Sequence, residues 1–174
     1  MKPYILTPVP ADDVARGDGQ LFAEFSTQLK ITKDSVGGSA GEPMVMRPWQ
    51  EDMVGRVFAR RPDNRLRHRQ ALVLLPRKNG KSALGAGIAL FGMVYGPAGG
   101  EVYSCAADKE QARIVFGTAK KMIEMQPNFT GYFKTYRDAI EFLPTATVYR
   151  VLSAEAFTKE AVSYTHLRAH ETLR

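Results

Sequence analysis

One corner of the chain constrains its fold more than any other: Leu75-Pro76-Arg77-Lys78-Asn79-Gly80-Lys81-Ser82. Before it, residues 70–75 (Gln-Ala-Leu-Val-Leu-Leu) form a short continuous apolar run, the pattern of a strand buried on both faces. After it, Leu84, Ile88, Phe91 and Tyr95 recur at helical spacing, and Gly96-Pro97 ends the pattern. A loop between such a strand and helix directs its N–H groups and the helix N-terminus at one point, where an anion is favoured. In that reading Gly80 lets the backbone approach closely, Lys81 reaches terminal phosphates and the Ser82 hydroxyl ligates Mg²⁺. The first glycine of the usual phosphate-loop pattern falls on Leu75, so the match is partial. The rival reading makes Gly80 a turn glycine and Lys81 a solvated residue. Against it stands the crowding of Arg77, Lys78 and Lys81 at the positive end of a helix dipole. Each basic charge there costs about 0.3–1 kcal/mol unless an anion sits opposite.

The remaining pattern places this corner in an α/β chain. Residues 1–17 are rich in Pro and Asp and are expected to be a loose lead-in. A helix is predicted from about Asp18 to Leu29, with Leu21, Phe22, Phe25 and Leu29 on one face. The glycines of residues 33–42 predict a loop. Pro48 suits the first turn of a second helix, which would carry Trp49, Met53, Val54, Val57 and Phe58 inward. Residues 62–69 read as a polar connection. Past the corner, residues 101–107 form a strand candidate. Asp108 and Gln111 then give a capping-box pattern for a helix with Ala112, Val115, Ala119, Met122 and Ile123 inward. Its outer face would carry Lys109, Arg113, Lys120, Lys121 and Glu124. Short strands are predicted around residues 139–143 and 147–152. The strand–helix–strand–helix alternation predicts a parallel sheet flanked by helices, with right-handed crossovers.

Composition enters as a prior. The chain has 174 residues, the size of one domain, with 44% hydrophobic and 24% charged residues, which excludes wholesale disorder. A net charge of +6 favours a polyanionic partner without locating a site. A single cysteine, Cys105, forms no internal disulfide and suits a reducing compartment. No signal peptide is evident, and the longest uncharged stretch, residues 82–100, carries six glycines and Pro97. A spanning helix needs about 20 mostly apolar residues, so no membrane association is expected.

At the phosphate-loop corner the sequence resembles the large terminase subunit of tailed bacteriophages. Four segments agree in order: residues 41–50 (Gly-Glu-Pro-Met-Val-Met-Arg-Pro-Trp-Gln), 75–82, 101–121 and 149–154. The second of these is similar to the family's variant Walker A loop, in which the first glycine is commonly lost and a basic residue precedes Gly-Lys-Ser. The resemblance covers about residues 22–159 and implies a P-loop NTPase fold. It further implies an ATPase that drives double-stranded DNA into the procapsid, with ATP and Mg²⁺ as cofactors. By the same resemblance, Trp49 and Gln50 contact adenine. Arg77, Lys78, Asn79, Gly80, Lys81 and Ser82 hold the triphosphate, Lys81 and Arg77 act in catalysis, and Ser82 meets the metal. Packing explains Trp49 equally well, and a solvated helix start explains Gln50. The implied partners are the portal protein, the small terminase subunit and further copies of the chain. The implied location is the cytoplasm of the infected bacterial host, at the procapsid portal. Two alternatives remain open: another P-loop DNA translocase or helicase, and nucleotide or DNA binding without turnover, the latter through Arg65, Arg67 and Arg69.

A Walker B motif needs an apolar strand ending in Asp then Glu. Asp12-Asp13 and Glu51-Asp52 do not end apolar strands, and Asp108 is followed by Lys109. The chain is therefore expected to be the front part of a longer ATPase domain (residues 18–160), with an incomplete sheet, exposed strand edges and no turnover of its own. Residues 161–174 do not continue the family pattern and resemble a translated sequencing-adapter read-through, so they are expected to be non-native. Within them His166 and His170 stand at i, i+4 with no third ligand and are not read as a metal site.

Overall fold

In the computed structural model the described residues are 7–34, 38–76, 78–106, 109–153 and 167–168. They divide into two compact units, Met1–Gln28 with Pro43–Ala71, and Leu29–Glu42 with Leu72–Arg174.

The first unit is helical. It contains α1 (Ala11–Ala15), α2 (Gly19–Ser26) and α3 (Pro48–Val57). Phe22, Phe25, Met44, Met46, Val54 and Ala59 are buried in it, and the rings of Phe22 and Phe58 lie 5.7 Å apart. Leu21, expected inward, is 37% exposed. The segment read as a loose lead-in carries α1, because Asp13 is buried and ion-paired to both Arg16 and Arg67. A second pair joins Arg60 to Asp18, Nη2 to Oδ2, at 2.6 Å. These pairs turn the connection after α3 into a hairpin. Arg61 donates its N–H to the Arg65 carbonyl (2.9 Å), and Asn64 donates to the Arg61 carbonyl across Pro62 and Asp63. Asn64 takes a left-handed φ of 63°, the residue that ends a three-residue hairpin loop. Where α2 meets α3, a Cβ at Gly19 would fall 2.5 Å from the Gly55 Cα.

The second unit is α/β. Helix α4 (Lys81–Tyr95) leads to β1 (Glu101–Ala106), α5 (Lys109–Glu124), β2 (Phe133–Thr135), β3 (Ala139–Phe142), β4 (Thr147–Ser153) and β5 (Leu167–Arg168). The sheet order is β2-β3-β4-β1-β5. β1 and β4 pair in parallel from Glu101↔Val148 to Ala106↔Ser153, and β5 pairs in parallel with Ser104 and Cys105. β2, β3 and β4 run antiparallel to one another in turn, so the sheet is mixed. β5 lies in the stretch read as non-native, and its backbone lines up on the edge of β1.

Helix α4 spans the residues the sequence predicts, with a different buried face. Leu84, Ala86, Gly87, Ala89, Leu90, Phe91 and Met93 are buried, whereas Tyr95 is 52% exposed. A helix apolar on nearly every side gives no unique stripe from periodicity. On α5 the buried residues are Ala112, Phe116, Ala119, Met122 and Ile123. Its predicted cap, Asp108, lies outside the described residues. Arg113, read as an outer-face residue, is half-buried and pairs with Asp138 (2.9 Å) and Glu110 (2.6 Å). Hydrogen bonds to Asp138 first, then Glu110, hold its guanidinium protonated even more firmly than usual.

Residues 70–75 are not a strand. They carry no sheet ladder among the described residues, and Leu72 and Leu74 are 73% and 66% exposed. A strand requires a neighbour for its N–H and C=O groups. β4 pairs along one edge of β1 and β5 meets Ser104 and Cys105 on the other, and the run pairs with neither edge among the described residues.

Tyr149 of β4 is fully buried and stacks obliquely on Phe116, with centroids 5.2 Å apart. Among the described residues its hydroxyl makes no hydrogen bond of regular geometry, and the Ser104 hydroxyl beside it donates to the Ala112 carbonyl at 3.3 Å. Burial pushes the phenol up to about 12, with Ser104 opposing the shift. The unfolded chain ionises this group near pH 10, so its contribution is fully present below that pH and is lost between about pH 10 and 12. Urea melts across this window should show Tyr149→Phe losing roughly 2 kcal/mol less stability than the native chain on alkalinisation. Gly19→Ala should lower stability by about 1–3 kcal/mol, since the added methyl meets backbone.

Candidate functional site

Gly80 caps the start of α4 in the left-handed region, at φ 74°. Lys78, two residues earlier, is also left-handed at φ 67°. Between them the Asn79 amide donates to the Pro76 carbonyl at 3.2 Å, closing the turn on itself. The first regular bond of the helix runs from the Leu84 N–H to the Gly80 carbonyl at 2.9 Å. The chain thus enters α4 through a tight corner with two sharply turned residues. Successive backbone turns of this kind form concave groups of N–H donors that favour anions.

The electrostatics of the corner are one-sided. No acidic residue lies in the first turn of α4, and no side chain caps it. Lys81 and Ser82, the first two helical residues, are half-buried, and Lys78 and Asn79 are exposed. A helix of 15 residues therefore presents its positive end beside two lysines, without a carboxylate in its first turn. A Cβ built on Gly80 would meet nothing within 4 Å, so the glycine is required by conformation, and the space over the backbone is open. Among the described residues no cluster of three or more His, Cys, Asp or Glu could hold a metal ion.

The other residues singled out from the sequence fall as follows. Arg77 lies outside the described residues, as do His166 and His170. Trp49 and Gln50 belong to the helical unit, on the first turn of α3, and both are half-buried. The Gln50 amide oxygen accepts the Arg47 N–H at 2.8 Å, so this side chain closes the start of its own helix. Lys78, Asn79, Gly80, Lys81 and Ser82 come together at the α4 corner, in the α/β unit. Of the arginines considered for DNA binding, Arg67 is paired to buried Asp13, while Arg65 and Arg69 are exposed. The left-handed Lys78 is the feature the sequence alone did not expose, since a lysine carries no signature of that conformation.

Two substitutions separate conformation from charge. Gly80→Ala should cost about 1–2 kcal/mol through left-handed strain alone, because the space for a methyl exists. Lys78→Gly should raise stability by up to about 1 kcal/mol in thermal melts, relieving strain and one repulsive charge at the helix start.

Residues 48–162 match the family described as the ATPase domain of the terminase large subunit. The terminase large subunit of Enterobacteria phage HK97 is 34% identical over 132 residues, which cover 73% of this chain and 25% of that protein. The crystal structure of the HK97 bacteriophage large terminase matches with a TM-score of 0.67 at 29% identity, over 80% of this chain and 28% of that one. The chain spans about a quarter of the length of these relatives.

Proposed function

This chain belongs to the terminase large-subunit ATPase domain family, and from that premise we propose that it is the nucleotide-binding part of an ATP-driven motor that packages double-stranded DNA. The observation that carries the reading is the α4 corner: a left-handed Gly80 opening a 15-residue helix with two lysines and no first-turn carboxylate. An isolated protein gains nothing from concentrating positive charge there. A triphosphate does, because its anionic oxygens meet the helix end and the ammonium groups together.

The residues present fit Mg²⁺-ATP. The backbone N–H groups of Lys78, Asn79, Gly80 and Lys81 would cradle the phosphates, with the Lys81 ammonium as the mobile counter-charge and Ser82 Oγ as the metal ligand. Arg77 is proposed as a second phosphate contact with a catalytic share, on the strength of its place in the loop. Trp49 and Gln50 are proposed against adenine by family resemblance. The cap of α3 engages the Gln50 amide oxygen, so its amide nitrogen is the group offered to a base. Bound ATP supplies the free energy of phosphoanhydride cleavage. The chain's own residues supply binding and orientation, and they include no apolar strand ending in Asp-Glu. The expected behaviour of the 174-residue chain is therefore nucleotide binding without turnover.

In the complete motor the proposed setting is the cytoplasm of the infected host. There the chain would act with the portal protein, the small terminase subunit and further copies of itself. No described helix is long and apolar enough to cross a membrane.

Equilibrium titration with a fluorescent ATP analogue tests the reading directly. Lys81→Ala should abolish binding while leaving the melting transition within a few degrees of the native chain, since a surface-proximal substitution costs within about 0.5 kcal/mol. Undiminished binding by that variant overturns the phosphate-loop assignment.

A further inference from the structure

The hairpin that follows α3 carries Arg60, Arg61, Arg65, Arg67 and Arg69, and the structure sorts them into two groups. Arg60 and Arg67 are half-buried and committed. Arg60 holds Asp18 at 2.6 Å through Nη2 and donates to the Asn64 carbonyl at 2.7 Å, while Arg67 holds the buried Asp13 at 2.5 Å. Arg61, Arg65 and Arg69 are exposed, and among the described residues no carboxylate pairs with them. The acidic residue of the turn, Asp63, accepts the Arg65 backbone N–H at 3.1 Å and leaves the guanidinium groups without a bridge. The exposed group with Asp63 thus carries a net charge of two positive units, with Arg61 and Arg65 on a hydrogen-bonded hairpin and Arg69 two residues past the Arg67–Ala59 backbone bond. The Arg61–Arg65 hydrogen bond, the left-handed Asn64 and the Arg60↔Leu66 bridge fix the hairpin itself from inside.

We infer that Arg61, Arg65 and Arg69 form a phosphate-contacting ridge for the backbone of duplex DNA. This inference rests on the motor reading for the choice of polyanion. The chemistry is that of guanidinium with phosphate: planar, permanently charged and able to bind two oxygens at once. The four-residue step from Arg65 to Arg69 bends at Arg67 and Arg69 and reaches at most about 14 Å. Duplex DNA presents a charge every 1.7 Å or so of its axis, so the ridge meets several phosphates at once. Such contacts position a duplex without reading its sequence, as a translocating protein requires. The inner pairs to Asp13 and Asp18 serve as the foundation: they bind the hairpin to α1 and α2 and use up the two arginines that point back.

The test measures binding of the full chain to a labelled duplex of mixed sequence between 50 and 200 mM salt. Replacing Arg61, Arg65 and Arg69 together by Gln should reduce the slope of log K against log salt by about 2–3. That makes the loss of affinity over this range about 16–64-fold smaller than for the native chain. The triple Lys variant should retain the native slope, which excludes a folding defect as the cause, and binding of the fluorescent ATP analogue should be unchanged in both. A Gln variant with the native slope overturns the ridge alone. A native chain that binds no duplex overturns the ridge and the motor reading together. If Lys81→Ala binds nucleotide normally while the slope still falls, the ridge stands and the ATP site does not.

Discussion

The organisation of the α/β unit turns on the corner at Gly80. A left-handed residue there redirects the chain into α4, and nothing acidic in the first turn neutralises the positive end it creates. Conformation and charge are thereby imposed by the same five residues. A glycine is required by φ rather than by space, since an added Cβ would meet no atom. Lys78 is a costlier choice: it holds a left-handed φ without the freedom of glycine and adds charge to an already positive point. Two unfavourable local choices thus coincide at one place.

The strand expected before this corner shows how a correct local pattern can lack its partner. Residues 70–75 have the apolar continuity of an interior strand, but a strand is a property of a pair. β1 offers one edge to β4 over six residues and the other to β5 over two. Pairing with none of these edges among the described residues, the run leaves Leu72 and Leu74 in water. That exposure runs against the hydrophobic effect by about 25 cal/mol for each Å² of apolar surface left uncovered. It gives these residues the chemistry of an unpaired strand edge.

Much of the architecture was legible because it is local. Pro48 and Gln50 announce the start of α3, and Gln50 accepts the Arg47 N–H as that pattern requires. The bounds of α4 follow from a glycine at each end. The corner residues are adjacent in sequence, so their convergence needed no long-range knowledge. The buried faces are less fully read: Phe116 stands i+4 from Ala112 on the same helical stripe, though the predicted inner face omits it, and it packs on Tyr149 across 33 positions. The hairpin after α3 was hidden by distance in sequence. Its pairs, Asp13 with Arg67 and Asp18 with Arg60, span 54 and 42 positions, and a run of arginines reads the same whether committed or free.

That last distinction changes what the net charge of +6 means. A basic balance suggests a polyanion but treats every arginine alike. Here Arg16, Arg56, Arg60, Arg67 and Arg113 are matched with carboxylates of the chain itself and build structure. Two groups of the remaining cations lie close together in sequence, Lys78 with Lys81 at the start of α4 and Arg61, Arg65 and Arg69 on the exposed side of the hairpin. A field made by a few fixed, unmatched cations is more selective than the same total spread over a surface, because each must be met by an anion at a set spacing. The two concentrations differ in kind. The corner combines a left-handed glycine, a helix start and two lysines, whereas the hairpin presents separated guanidinium groups. Two of the matched arginines, Arg60 and Arg67, hold that hairpin in shape through Asp18 and Asp13.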